Sequence, residues 1–200
     1  MKLYYSGNSP YARRPRQAIR QFGLMDKVEE LTRDSLDEAD QSLQQFGPGG
    51  KVPGLLTDSG AFLCETLLIL NYLDEASGGK FYPAAGPARD FAMEVEGLAS
   101  LLMESLFYRA RENRREAGEK SPGYIESEGV RSTRCYDALE GLVDKFDGPV
   151  NMGHLSVVAS LGYADWRHPD DGWRDGRPKL TAWFDRMMQE PASAETKPIF

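Results

Sequence analysis

Lys51-Val52-Pro53-Gly54-Leu55-Leu56, followed by Glu65-Thr66-Leu67-Leu68-Ile69-Leu70, is the stretch of this chain that decides its fold. The trans preference of an X-Pro bond is only about 0.5–1 kcal/mol, so a proline that closes a loop and leads into an apolar strand is a candidate cis site. A cis bend at Pro53 would leave the Val52 N–H and C=O outside the sheet and free to pair with an extended peptide. Glu65-Thr66 then opens a helix, whose first backbone N–H groups and threonine hydroxyl can hold a carboxylate. A backbone clamp next to an anion pocket suits a short acidic peptide.

Working outward, Lys2-Leu3-Tyr4-Tyr5 reads as a strand, and Ser9-Pro10 as a helix start, with serine as cap and proline in the first turn. Ile19 and Phe22 share a face of that helix, and Gly23 is a plausible stop. Pro15 lies inside it and should kink it. Val28-Glu29-Glu30-Leu31-Thr32 is a weak second strand, and residues 37–46 a short helix ended by Gly47-Pro48-Gly49-Gly50. Residues 54–58 and 61–64 flank Ser59-Gly60, a two-residue hairpin signal. The order β-α-β-α-β-β-α matches a thioredoxin-like sheet in a domain over 1–78. Residues 78–87 are rich in Gly and Pro and read as a linker.

From 87 to 200 the pattern is helical. Phe91, Val95, Leu98, Leu102 and Leu106 recur at three- and four-residue spacing and line one face of a long helix. Tyr136, Leu139, Val143 and Phe146 do so in a second. Residues 155–166 are apolar on most sides, as in a helix at the centre of a bundle. Leu180, Trp183, Phe184 and Met187 mark a last amphipathic helix. The fold class is therefore an α/β domain followed by an all-α domain.

Two hundred residues with a formal net charge of −7 argue against nucleic acid as a partner, since phosphate binding needs a basic face. Arg109, Arg111, Arg114 and Arg115 are a local exception, read as a solvated helix face rather than an anion site. Cys64 and Cys135 do not make a disulfide framework. Cys64 sits in an apolar run and reads as a small core residue. No metal-ligand spacing is present. The N-terminus begins with a strand pattern rather than a signal segment, and no run approaches the ~18 apolar residues of a membrane span. The expectation is a cytoplasmic protein with neither membrane nor nucleic-acid partners.

The N-terminal stretch from Met1 to Arg13 and Phe46-Gly47-Pro48-Gly49-Gly50-Lys51-Val52-Pro53 resemble the first strand, active-site loop and N-P-x-G-K-V-P signature of the glutathione transferase family. Leu161-Gly162-Tyr163-Ala164-Asp165-Trp166-Arg167 and Pro178-Lys179-Leu180-Thr181-Ala182-Trp183-Phe184 resemble the last core helices of its bacterial members. The resemblance spans nearly the whole chain. It implies a thioredoxin-like N-terminal domain, an all-helical C-terminal domain over 87–200, a homodimer, and glutathione as cosubstrate with no metal.

By the same resemblance Ser9, in the place of the serine-type members, would stabilise the glutathione thiolate, with Ser6 and Tyr5 as rival donors. Val52 would pair with the cysteinyl backbone and Pro53 would set the bend. Glu65 would meet the γ-glutamyl amine and Thr66 its carboxylate, and Lys51 could reach the glycyl carboxylate. Met103 and Tyr108 would wall the pocket for a hydrophobic electrophile; Trp166 reads as bundle core. The family opens its central helix with a Ser/Thr-x-x-Asp capping box, where this chain has Asn151-Met152-Gly153-His154. His154 can return the capping contact only if it is neutral and accepts a hydrogen bond. The implied activity is conjugation of glutathione. Glutathione-dependent ether cleavage, dehalogenation or peroxide reduction on the same site, or a non-catalytic interaction module of this fold, are the alternatives.

Overall fold

The computed structural model describes residues 1–32, 43 and 47–198. The chain divides into two compact units: the first comprises Met1–Tyr82 together with the C-terminal stretch from Pro191, the second Pro83–Glu190.

The first unit is built on four strands: β1 (Lys2–Tyr5), β2 (Glu29–Thr32), β3 (Gly54–Leu56) and β4 (Phe62–Leu63). Their order is β2-β1-β3-β4, with β1 parallel to β2 and the other pairs antiparallel. Parallel neighbours need a crossover, and helix α1 (Pro10–Gln21) supplies it. Ser9 caps this helix through its hydroxyl, which accepts the Ala12 N–H at 3.2 Å. The far end closes as the Gly23 signal implies. Gly23 takes φ +74°, the Leu24 N–H bonds the Ile19 carbonyl at 2.8 Å, and the Gly23 N–H bonds that of Arg20 at 3.4 Å. This is the doubly hydrogen-bonded glycine stop. The helix continues unbroken through Pro15.

The β3–β4 turn is longer than expected. The Thr57 N–H pairs with the Ala61 carbonyl, and Gly60, at φ +86°, donates to the Thr57 carbonyl, so Asp58, Ser59 and Gly60 form a three-residue loop. That loop length uses a type I turn followed by a left-handed residue, which Gly60 supplies without steric penalty. Helix α2 (Thr66–Ser77) follows and packs on α1 and β3. The helix anticipated at 37–46 lies outside the described residues except for Leu43, which is helical and fully buried.

The stretch after Pro191, expected to belong with the helical half, instead forms helix α7 (Pro191–Ala194) of the first unit. Arginines of α1, the buried Arg13 and the half-buried Arg20, hold it. Arg13 Nη2 donates to the Ser193 carbonyl at 3.2 Å, and Arg20 bridges Glu30 and Glu195. These are charge-assisted contacts, stronger than neutral ones.

The second unit contains α3 (Pro87–Glu112), α4 (Pro122–Leu142), α5 (Met152–Arg167) and α6 (Pro178–Met187). Helix α5 is buried almost throughout and packs chiefly on α3, with α4 also against α3. Val95, Leu102 and Leu106 of α3 meet this core, as their spacing predicts. The start of α5 is closed by a reciprocal capping box: the His154 N–H donates to Asn151 Oδ1 at 3.3 Å, and the Asn151 N–H donates to His154 Nδ1 at 3.4 Å. Nδ1 must be unprotonated to accept. Burial supplies that state, pushing His154 down to about 4, beside the rings of Phe146 and Trp183.

A second buried histidine, His168, has no counterpart in the sequence-based reading. Its Nδ1 accepts from Arg109 Nε at 3.2 Å and its Nε2 pairs with the Leu106 carbonyl at 2.9 Å, while Arg109 also binds Asp171. Arg109 is therefore buried and paired, not part of a solvated face.

Candidate functional site

Sheet register gathers the predicted binding residues of the first unit. Tyr4 of β1 pairs with Gly54, the first residue of β3, so the loop after Tyr5 lies at the end of the sheet where the Val52-Pro53 approach enters. Leu55 pairs with Leu63 near the end of β4, so the chain leaving β4 toward Glu65-Thr66 returns to that same end. One end of one sheet thus carries the Ser9 turn, the Val52 backbone and the start of α2.

Each piece has groups to offer. The Val52–Pro53 peptide is cis. Val52 precedes β3, and its N–H and C=O make no backbone hydrogen bond among the described residues. Pro53 is buried, Val52 half-buried and Lys51 exposed. At the start of α2, Glu65 has φ +69°, and among the described residues it is the non-glycine in the left-handed region. That conformation costs of order 1–3 kcal/mol and persists only where the surroundings impose it. The Glu65 side chain is exposed and does not cap the helix. The first turn of α2 therefore has no side-chain cap, and its N–H groups at Thr66, Leu67 and Leu68 have no intrahelical partner. Thr66 is buried, and its hydroxyl makes no hydrogen bond to a described residue. Open donors, a hydroxyl and the positive helix end together fit a carboxylate.

Ser9 is half-buried. A hydroxyl has one donor proton and two lone pairs. Accepting from Ala12 leaves the Ser9 proton available to an incoming anion, so capping and donating are compatible. Of the rivals, Ser6 has its hydroxyl proton engaged. Ser6 Oγ donates to Asn8 Oδ1 at 3.1 Å, and the Tyr5 ring lies under the Arg16 guanidinium at 4.0 Å. Arg13, four residues after Ser9, is buried against α7 rather than facing the loop.

Other predicted residues fall elsewhere. Met103 is fully buried within the second unit and presents no surface to a ligand. Tyr108 is exposed, and Trp166 is half-buried beneath the Arg167 guanidinium at 3.4 Å. Cys64, read as a core residue, is exposed, because β4 ends at Leu63 and Cys64 lies in the connection to α2. Among the described residues no group of three or more His, Cys, Asp or Glu could hold a metal ion, and no helix is long and apolar enough to cross a membrane.

Residues 3–81 match the family model described as glutathione S-transferase, N-terminal domain. Over its full length the chain is similar to the uncharacterized GST-like protein YibF of Escherichia coli K12, with 28% identity covering 99% of this chain and 98% of that protein. It is also similar to glutathione S-transferase L3 of Arabidopsis thaliana, with 25% identity over 98% of this chain and 81% of that one. Among solved structures, a glutathione transferase family member from Pseudomonas fluorescens Pf-5 with bound glutathione superposes with a TM-score of 0.91 at 28% identity, covering 100% of this chain and 99% of that one. Residues 3–81 thus match a glutathione S-transferase N-terminal domain, and over its full length the chain shares the fold of a glutathione transferase family member.

Proposed function

We propose that this protein is a glutathione transferase of the serine type, in which Ser9 stabilises the thiolate of glutathione for attack on a hydrophobic electrophile. The observation that carries this reading is the convergence, at one end of one sheet, of the Ser9 hydroxyl, the unpaired Val52 backbone and the uncapped start of α2. The Pf-5 relative with glutathione bound supports the ligand. Val52 would pair with the cysteinyl backbone. Thr66 and the open N–H groups of α2 would hold the γ-glutamyl carboxylate, with Glu65 on the amine and Lys51 within reach of the glycyl carboxylate.

A free thiol titrates near 8.5, so lowering it to about 6 needs roughly 3–4 kcal/mol of preferential stabilisation of the anion. One neutral hydrogen bond supplies about 1 kcal/mol. The Ser9 hydroxyl would therefore act together with the N-terminal end of α1, whose dipole favours negative charge. The thiolate sulfur attacks the electrophilic carbon, the C–S bond forms as the leaving group departs with its electron pair, and no covalent enzyme intermediate is needed.

We place the protein in the cytoplasm as a homodimer. A groove of about 660 Å³ between α3 and α4, lined by Met93, Gly97, Leu98, Leu101, Ala138 and Leu142, supports a second copy as partner, with Met93 and Leu101 more than half exposed. The catalytic assignment is tested by following thiolate absorbance of bound glutathione against pH. The native protein is expected to ionise the thiol well below 8.5, and Ser9→Ala to return it upward with little loss of affinity. An unchanged thiol titration in Ser9→Ala would exclude Ser9 as the donor.

A further inference from the structure

We infer that the C-terminal stretch from Pro191 splints α1 across Pro15, and that Arg13 is a positioning residue which, gripped by this splint, holds the Ser9 hydroxyl in place. The inference rests on Ser9 acting as proposed above.

Pro15 has no N–H to donate to the Tyr11 carbonyl one turn back, and its ring crowds that carbonyl. The missing bond is one of those that would join the first turn of α1, with Ser9 at its cap, to the rest of the helix. Yet α1 runs from Pro10 to Gln21 without interruption. Contacts from outside the helix hold its two parts in line.

The C-terminal stretch supplies such contacts on both sides of Pro15. Before it, Arg13 closes the first turn, its N–H on the Ser9 carbonyl at 3.1 Å. The Arg13 side chain is 3% exposed; its Nη2 donates to the Ser193 carbonyl at 3.2 Å, and its Nε meets Thr196 Oγ1 at 3.5 Å. After Pro15, Arg20 in the last turn pairs with Glu195 at 3.2 Å. The stretch is itself tied together, since the buried Thr196 donates from Oγ1 to the Ala192 carbonyl at 2.7 Å and keeps its lone pairs for Arg13. One piece of chain thus grips α1 at two points about two turns apart.

Arg13 carries both the backbone bond to Ser9 and the grip on the splint, so releasing its side chain shifts the turn that aims the hydroxyl. A hydrogen bond weakens steeply as its angle opens, and a misplacement of about 1 Å can cost on the order of a hundredfold in rate. The other contacts proposed for glutathione, at Val52 and the start of α2, come from different elements. Loss of the splint should therefore separate thiol ionisation from affinity.

The experiment follows thiolate absorbance of bound glutathione against pH in the full chain. Beside it, calorimetry measures affinity for S-methylglutathione, which has no thiol to ionise. Arg13→Met should raise the titration midpoint by about one pH unit, a roughly tenfold weaker preference for the thiolate, with S-methylglutathione affinity within about twofold of native. Adding Pro15→Ala, which restores the missing N–H, should return the midpoint most of the way; an effect of the lost Arg13 charge alone would not be rescued. Thr196→Val changes no charge and should shift the midpoint the same way by less, again reversed by Pro15→Ala, which keeps the test open if Arg13→Met does not fold. A native protein that leaves the thiol near 8.5, or a Ser9→Ala variant that still lowers it, would overturn the Ser9 reading and this inference with it. If both behave as proposed, a midpoint unmoved in the folded splint variants, a shift that Pro15→Ala does not reverse, or an equal loss of S-methylglutathione affinity would each overturn this inference alone.

Discussion

The starts of α2 and α5 meet the same physical problem in opposite ways. Both helices begin with backbone N–H groups that have no partner inside the helix. At α5 the chain closes the end on itself: Asn151 and His154 exchange hydrogen bonds, and the imidazole is buried between aromatic rings. At α2 the chain leaves the end open, with Glu65 held at φ +69°, no side-chain cap, and Thr66 without a partner among the described residues. The closed end is organised for stability. The open end gives up stability and leaves donors in place for a ligand.

The largest expected effect lies at the closed end and depends on pH. His154 has an ordinary value of 6.5 and is held at about 4 in the folded protein. Between these values the unfolded chain binds a proton that the folded chain does not, so stability rises with pH. The contribution is complete above about pH 6.5, declines as the pH falls, and is lost below about pH 4, roughly 3 kcal/mol in all. His154→Gln keeps an acceptor for the Asn151 N–H without titrating. Urea melts at neutral and acidic pH should show a flatter profile for this variant, and an identical slope would remove His154 from the account.

Next in size is Gly153→Ala. A methyl group there would stand 2.6 Å from the Ala92 carbonyl oxygen, where α5 crosses α3, and backbone cannot move aside cheaply. A loss of about 2 kcal/mol is expected, with glutathione affinity unchanged. Chemical denaturation and calorimetry together check both halves.

At the open end the sign reverses. Glu65→Gly relieves the left-handed backbone and should be about 1 kcal/mol more stable than Glu65→Ala, which keeps the strain. Both should bind glutathione less well than the native protein. Equal stabilities for the two variants would mean that the Glu65 conformation is not strained. Smallest of all, Thr66→Val should shift stability by no more than about 0.5 kcal/mol, since no described residue bonds its hydroxyl. Asn151→Ala at the closed end should cost about 1 kcal/mol. Thermal melts of this pair measure the comparison directly.

Local signals made much of this legible in the sequence. Ser9-Pro10 and Gly23 bounded α1 because capping and left-handed stops depend on neighbouring residues alone. The three- and four-residue apolar spacing marked the faces of α3 and α6 because burial follows helical period. Less visible was whatever depended on distant partners. Arg109 read as solvated, yet it is buried because His168 and Asp171, about sixty positions away, meet it. The C-terminal stretch joined the first unit through Arg13 and Arg20, whose partners at Ser193 and Glu195 no short window contains. Cys64 is exposed although it sits in an apolar run, because that run continues one residue past the end of β4. The hairpin loop is one residue longer than Ser59-Gly60 implies, because the Thr57–Ala61 pairing that sets its length is not written in the two-residue signal.

Whether the open end of α2 is a ligand site is tested most directly by calorimetric titration with glutathione of the native protein beside Thr66→Val. The prediction is a saturable one-to-one isotherm for the native protein and at least about tenfold weaker binding for Thr66→Val at unchanged melting temperature. Absence of binding by the native protein, or equal affinity in the variant, would contradict it.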